Sequence, residues 1–262
     1  MRKILSGLTG TLLLIYLGLY FYFYFIQDNR FESVRLSQDF VFTSEGNFEE
    51  FYFTSKDGGK INSLLFTTDS SRGVICFWKG NGGNMEKWAH VAPLFLKTGY
   101  DIVVTDYREH GKSRGEITMD NFYADAQMVY DFLKTQYSES RIIVVGYSLG
   151  ASIASHLSRT NEPAKTILVD PRARFENKYL EALFFPLPAI NRFPFRTDLD
   201  IQETKTPVYI ITGTSSRVYK DAQELKMLLN GNDRYYEIEG ATHESILGDI
   251  QLERIVRSLL HD

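Results

Sequence analysis

Residues 141–159 read RIIVVGYSLGASIASHLSR, and no other stretch restricts the fold as much. The β-branched run Ile142, Ile143, Val144 and Val145 favours an extended strand. It passes through Gly146-Tyr147-Ser148-Leu149-Gly150 into a segment rich in small residues, Ala151, Ser152 and Ala154, that reads as a helix lying close to a sheet. A strand that turns so abruptly into a helix needs flanking positions almost free of side chain, which Gly146 and Gly150 provide. The rest of the chain repeats the alternation. Residues 51–54 and 61–67 flank Lys56-Asp57-Gly58-Gly59 as a hairpin. Short apolar runs at 73–78, 101–105, 166–169, 208–212 and 235–238 read as strands. Helical spacing of apolar residues marks 85–97, 120–136, 149–159, 221–230 and 249–260. Near-continuous apolar strands alternating with helices predict an α/β fold, with a mostly parallel central sheet and helices on both faces.

Residues 171–200, PRARFENKYLEALFFPLPAINRFPFRTDLD, break the alternation and hold four of the seven prolines with several exposed-looking aromatics. They are expected to form a short insertion, a lid, over one end of the sheet. The alternative is an irregular surface excursion with a short helix.

The amino terminus differs in kind. From Ile4 to Gln27 there is no charged residue. As a helix at about 1.5 Å per residue this stretch would cross the apolar core of a bilayer. Tyr20 to Phe25 are all aromatic, as favoured at the lipid–water interface. The exit is bulky and lacks the small-residue cleavage site of a signal peptide, so an uncleaved single-pass anchor is expected. Arg2 and Lys3 ahead of the span favour a cytoplasmic amino terminus, with the large domain on the outer or lumenal side. The expected organisation is an anchor at 1–27, a connector at 28–48 and the α/β domain, with its insertion at 171–200, over 49–262.

Composition narrows the partners. A formal net charge of −4 argues against nucleic acid, which would favour a basic face. The single Cys76 excludes an internal disulfide and a Cys-rich metal site. Neither a metal nor an organic cofactor is implied.

The strand–turn–helix setting makes Ser148 a candidate nucleophile. Its hydroxyl would project from the carboxyl end of the strand, and the Leu149 amide at the helix start could stabilise an oxyanion. A serine hydroxyl needs a base. His243, in Glu239-Gly240-Ala241-Thr242-His243-Glu244, follows the last expected strand and so lies at the same sheet edge. His156 lies inside a helix, His261 near the chain end, and His90 and His110 precede the serine.

With these residues in view, the chain over about 50–260 resembles the α/β-hydrolase superfamily. Within it the chain is most similar to the branch of membrane-anchored, serine-aminopeptidase-like and monoglyceride-lipase-like hydrolases. Phe77-Trp78-Lys79-Gly80-Asn81-Gly82-Gly83-Asn84 resembles that branch's His-Gly-Asn-x-Gly-Asn oxyanion loop, with Lys79 where histidine is usual. The resemblance implies an oxyanion hole formed by the amides of Asn81 and Leu149. Asp106-Tyr107-Arg108-Glu109-His110-Gly111-Lys112-Ser113 resembles the family's Asp-Tyr-Arg-Gly-x-Gly-x-Ser loop, with Glu109 replacing a glycine.

The acid that orients the histidine departs from the pattern. Where the family reads Gly-Thr-x-Asp-x-x-Val, this chain reads Gly213-Thr214-Ser215-Ser216-Arg217-Val218, placing Ser216 at the aspartate's position. Asp170, which directly ends an expected strand, is one replacement; its other role would be to start a turn before Pro171. A weaker dyad, with Ser216 or a backbone carbonyl holding His243, is the other. Asp198 and Asp200 should lie at the wrong end of the following strand. The expected function is a membrane-tethered serine hydrolase acting on a small-molecule or lipid-like acyl ester or thioester. An amidase or peptidase of the same fold, or a hydrolase-fold binding protein with feeble catalysis, are the alternatives.

Overall fold

Register and strand order decide which side chains meet at one edge of this molecule. The computed structural model describes residues 2–31, 34–176, 178–185, 187 and 190–261, with backbone alone at 2–7, 28, 178 and 179. In chain order it runs α1 (Arg2–Phe25), β1 (Phe48–Thr54), β2 (Lys60–Phe66), β3 (Val74–Trp78), α2 (Met85–Trp88), α3 (Ala92–Leu96), β4 (Asp101–Thr105), α4 (Met119–Gln136), β5 (Ile142–Tyr147), α5 (Leu149–Thr160) and β6 (Lys165–Val169). It continues with α6 (Lys178–Leu183), α7 (Thr197–Glu203), β7 (Val208–Gly213), α8 (Tyr219–Lys226), β8 (Arg234–Ile238) and α9 (Ile250–His261).

The strands form one sheet in the order β1-β2-β4-β3-β5-β6-β7-β8. The β1–β2 and β2–β4 pairs are antiparallel and the remaining pairs parallel. Both faces are covered. On one, Val74, Cys76, Val144, Leu168 and Ile210 pack against α4, α5 and α8 through Val129, Leu133, Ile153, Leu157 and Leu225. On the other, Ile75, Phe77, Ile143, Val145, Ile167 and Ile211 meet α2, α3 and α9 through Met85, Phe95, Leu252 and Val256. Alternate residues of each strand serve opposite faces and both are apolar, which is why the strands read as unbroken apolar runs.

Two expectations are corrected. The single helix expected over 85–97 is broken: a 3-10 turn, Ala89–Val91, separates α2 from α3, and Pro93 sits at the start of α3. Proline has no amide to donate and its ring clashes with the carbonyl four residues back, so one uninterrupted helix is excluded there. The exposed-looking aromatics of 171–200 are mostly core. Among the described residues Phe184, Phe193 and Phe195 are buried, Phe175 is half-buried and Phe185 stands out. Phe193 and Phe195 fill the space beside Phe122, and Phe195 also packs on Phe175. The polar residues around them hid this from a reading of composition.

The α1 helix contains an 18-residue window, Leu8–Phe25, of mean hydropathy 1.6, long and apolar enough to cross a membrane. Its carboxyl end is fastened to the domain. The Phe184 ring lies 5.4, 5.6 and 6.0 Å from those of Tyr16, Tyr20 and Phe23. Gln27 donates to the Ile190 carbonyl at 2.7 Å and accepts from the Arg192 amide at 3.1 Å. The segment beyond is equally tied in, with Phe31 and Phe42 both buried in the domain.

Candidate active site

The parallel register sets the site. Tyr147 pairs with Val169, and Val169 with Ile211, so the next residues, Ser148, Asp170 and Thr212, reach the carboxyl edge at one level on three neighbouring strands. Ser148 sits in the tight turn between β5 and α5 at a φ of 54°. The turn closes only because its neighbours are glycine: a Cβ on Gly146 would lie 2.2 Å from the Gly150 oxygen, and one on Gly150 2.0 Å from the Trp78 oxygen. The strained serine is held by its amide, which donates to the Val169 carbonyl at 3.0 Å. A non-glycine residue in this region costs on the order of 1–3 kcal/mol and is kept where the surroundings over-determine it.

Three side chains stand in hydrogen-bonded series. His243 Nε2 is 2.9 Å from Ser148 Oγ, and His243 Nδ1 is 2.9 Å from Asp170 Oδ2. Asp170 is fully buried, also at positive φ, 48°, with its amide donating to the Ile211 carbonyl at 2.8 Å. Its Oδ1 accepts from Thr212 Oγ1 at 2.7 Å and the Gly213 amide at 3.0 Å. Its Oδ2 accepts from Ser216 Oγ at 2.7 Å beside His243. Burial by itself pushes this carboxyl up, but the hydrogen bonds from His243, Thr212, Ser216 and Gly213 outweigh it and hold the group below the usual carboxylate range. Ser216 therefore contacts Asp170. It stands beside the carboxylate where the family pattern would put one, because the loops after β6 and β7 converge on the same point. Asp198 and Asp200 lie in α7, paired with Arg196 and Arg159, away from His243.

Tyr147, which the sequence did not single out, steadies the imidazole. Its hydroxyl donates to the His243 carbonyl, and its ring lies 5.0 Å from the His243 ring at an interplanar angle of 26°. The signal was present in the motif: the residue before the serine points to the opposite face of the strand, toward the loop after β8.

Ser148 opens on a cavity of about 350 Å³. Phe31, Phe175 and Phe193 form an apolar side, and Arg30, Arg172 and Arg217 stand around it with Asn81, Leu149 and Glu176. Leu149 is the first residue of α5, so its amide has no acceptor within the helix. Asn81 lies across from it in the loop after β3, its side chain donating to the Arg30 carbonyl at 2.6 Å. Among the described residues no group of three or more His, Cys, Asp and Glu is placed to hold a metal ion.

The comparisons with known proteins bear on this arrangement. A family model described as alpha/beta hydrolase fold matches residues 73–171. The chain is 28% identical over 221 residues to alpha/beta hydrolase domain-containing protein 17C of Mus musculus, covering 80% of this chain and 66% of that protein. It is 30% identical over 131 residues to the lysophosphatidylserine lipase ABHD12 of Gallus gallus, covering 47% of this chain and 34% of that protein. The chain thus spans less than two thirds of the length of these curated relatives. The Pyrococcus furiosus esterase Pf2001 superposes with a TM-score of 0.67 at 21% identity, over 88% of this chain and 98% of that one. The chain has the α/β-hydrolase fold.

The chain carries its departures from the family pattern as a second buried cluster beside the first. Lys79 is fully buried. Its Nζ lies 2.8 Å from His110 Nδ1, 3.4 Å from the Gly83 carbonyl and 3.6 Å from Asp106 Oδ1. Asp106 Oδ2 accepts from the Met85 amide at 3.0 Å. Burial pulls the Lys79 ammonium down to about 8 and pushes the Asp106 carboxyl up to about 6, each partly opposed by the other's charge. Burial, with the nearby Lys79 charge, lowers His110 to about 3, so its ring is neutral. The Lys79 substitution thus places an ammonium under the loop that carries Asn81, tied to the 106–113 loop. Glu109 takes the glycine's place at a φ of 65°, accepts from the Gly115 amide at 2.9 Å and pairs with Arg35.

Proposed function

We propose that the chain is a membrane-tethered serine hydrolase that cleaves an acyl ester or thioester through a Ser148 acyl-enzyme. The observation that carries this is the unbroken series Ser148 Oγ–His243 Nε2 and His243 Nδ1–Asp170 Oδ2, both links at 2.9 Å. Ser148 Oγ attacks the acyl carbon as His243 Nε2 takes the hydroxyl proton. Asp170, kept ionised by its donors, fixes the imidazole tautomer and balances the imidazolium. The carbonyl oxygen becomes an oxyanion facing the amides of Leu149 and Asn81. Collapse expels the alcohol or thiol, which takes the proton from His243, and water repeats the sequence to release the acid. The lipase and esterase among the similar proteins support an ester of a lipid-like molecule.

The anchor rests on the charge-free length of α1 and its aromatic exit. Arg2 and Lys3 favour a cytoplasmic amino terminus, with the catalytic domain outside or in a lumen. Protease protection tests this: in sealed vesicles with the cytoplasmic face outward, a domain digested only after the membrane is permeabilised supports the orientation, and digestion of the domain in intact vesicles removes it. The chemistry is tested with a fluorophosphonate probe on the full chain in detergent. Wild type should label and Ser148→Ala should not, with kcat on a chromogenic ester falling about 10⁶-fold. A folded wild type that neither labels nor turns over would leave a hydrolase-fold binding protein as the better account.

A further inference from the structure

The chain carries a formal net charge of −4, yet three arginines and one glutamate surround the Ser148 cavity. Arg217 pairs with Glu244 at 3.3 Å. Among the described residues Arg30 and Arg172 have no carboxylate partner; Arg172 lies over the Phe175 ring at 5.5 Å. Both are set on fixed backbone. The Arg30 carbonyl accepts from Asn81, and Gln27, three residues earlier, is bonded to residues 190 and 192. Arg172 lies between Pro171 and Ala173, whose amide donates to Asp221 Oδ1 at 3.0 Å. Two guanidiniums without a carboxylate partner thus line one cavity, an arrangement that favours an anion bound between them.

We infer that the Ser148 site is specific for an ester joining an apolar acyl chain to a phosphate-bearing alcohol, with Arg30 and Arg172 gripping the phosphate. This rests on the serine-hydrolase reading above. The cavity is graded in the matching sense. Phe31 and Phe193 are buried, their rings 4.6 Å apart edge to face, and form an apolar floor for the acyl chain. Arg30 and Arg172 are exposed at its rim, where a polar leaving group would remain. Phosphate suits two forks better than a carboxylate does: one guanidinium engages both oxygens of a carboxylate, whereas a phosphate has oxygens for a second.

The test uses the full chain in detergent and two esters with the same lauroyl chain, one of glycerol and one of glycerol 3-phosphate. Wild type should favour the phosphate ester in kcat/KM at least tenfold. Arg30→Gln and Arg172→Gln should each reduce that ratio about threefold, and the double variant should abolish it. Inorganic phosphate, added against the glycerol ester, distinguishes a headgroup from a small free anion. A wild type that labels with fluorophosphonate and cleaves both esters equally overturns the inference alone, as does a ratio unmoved by the double variant. Millimolar inhibition by inorganic phosphate without any ester preference also overturns it. Failure to label or to cleave either ester removes the serine-hydrolase reading, and this inference with it.

Discussion

Two buried acid–base pairs sit at the carboxyl edge of the same sheet, and their carboxylates behave in opposite ways. Asp170 follows β6 and faces His243; Asp106 follows β4 and faces Lys79. Both aspartates are wholly inaccessible to solvent. Asp170 accepts four hydrogen bonds, from Thr212, Gly213, Ser216 and His243, and is held below the usual carboxylate range against its own burial. Asp106 has the Met85 amide and an ammonium at 3.6 Å, and burial wins, raising it to about 6. The difference lies in the number of donors aimed at the charge. One arrangement keeps a permanent anion beside an imidazole; the other couples two loops through a pair that is costly to charge.

The comparison is broken most forcefully at Asp170. Asp170→Asn keeps the shape but turns an amide nitrogen toward His243 Nδ1, favouring the tautomer that cannot take the Ser148 proton. We expect kcat to fall about 10⁴-fold with little change in KM. A loss below tenfold in a stopped-flow acylation assay would remove Asp170 from the proposed mechanism. At Asp106 the damage should fall on stability. Asp106→Asn strands the Lys79 ammonium in a dry site, a loss of about 3–5 kcal/mol read from denaturant melts.

The pH dependence of stability should separate the pairs. Between about 4 and about 6 the folded chain holds the Asp106 proton that the unfolded chain has lost, so this pair makes stability fall as pH rises through that window. Between about 8 and the ordinary lysine value, the unfolded chain binds the proton that Lys79 has released, so stability rises with pH. The Lys79→Met/Asp106→Asn double variant should flatten both slopes in calorimetric scans. Asp170 acts in the opposite sense to Asp106. Its lowered pKa stabilises the fold above the ordinary aspartate value, and that contribution disappears as pH falls through its folded value. The smallest effect is expected at Ser216: Ser216→Ala removes one of the four donors and should lower kcat about tenfold, leaving the Asp170→Asn loss the larger.

The contrast also explains what could be seen before the fold was known. Ser148 and its turn were legible because the signal is local: apolar strand, two glycines, small-residue helix. His243 followed from its place after the last strand. Asp170 could be nominated, since it ends a strand, but nothing in its neighbourhood distinguishes a turn aspartate from an acid partner. Its environment comes from residues 42–73 positions later in the chain. Ser216 looked like a lost aspartate because a linear motif assigns one loop to one role, while the sheet register brings two loops to one point. The Lys79 cluster went unread for a similar reason: nothing near Lys79 in the chain announces His110 or Asp106. Pro93 was a local signal against the unbroken helix expected over 85–97. Phe193 and Phe195 read as surface because their charged neighbours dominate the local composition.

The fastening of α1 has a consequence for how such a molecule would meet its substrate. Gln27 is bonded at both ends of its amide to the 190–192 backbone, and the next residues, Arg30 and Phe31, already belong to the cavity around Ser148. There is no slack between the helix and the reacting hydroxyl. With α1 in a bilayer, Ser148 is held at one height above the lipid and cannot sample a volume as a domain on a long leash would. Its search is confined to a plane. For a substrate dissolved in the same bilayer, the concentration that matters is then molecules per unit area of membrane, and dilution of the surrounding water leaves the encounter rate unchanged.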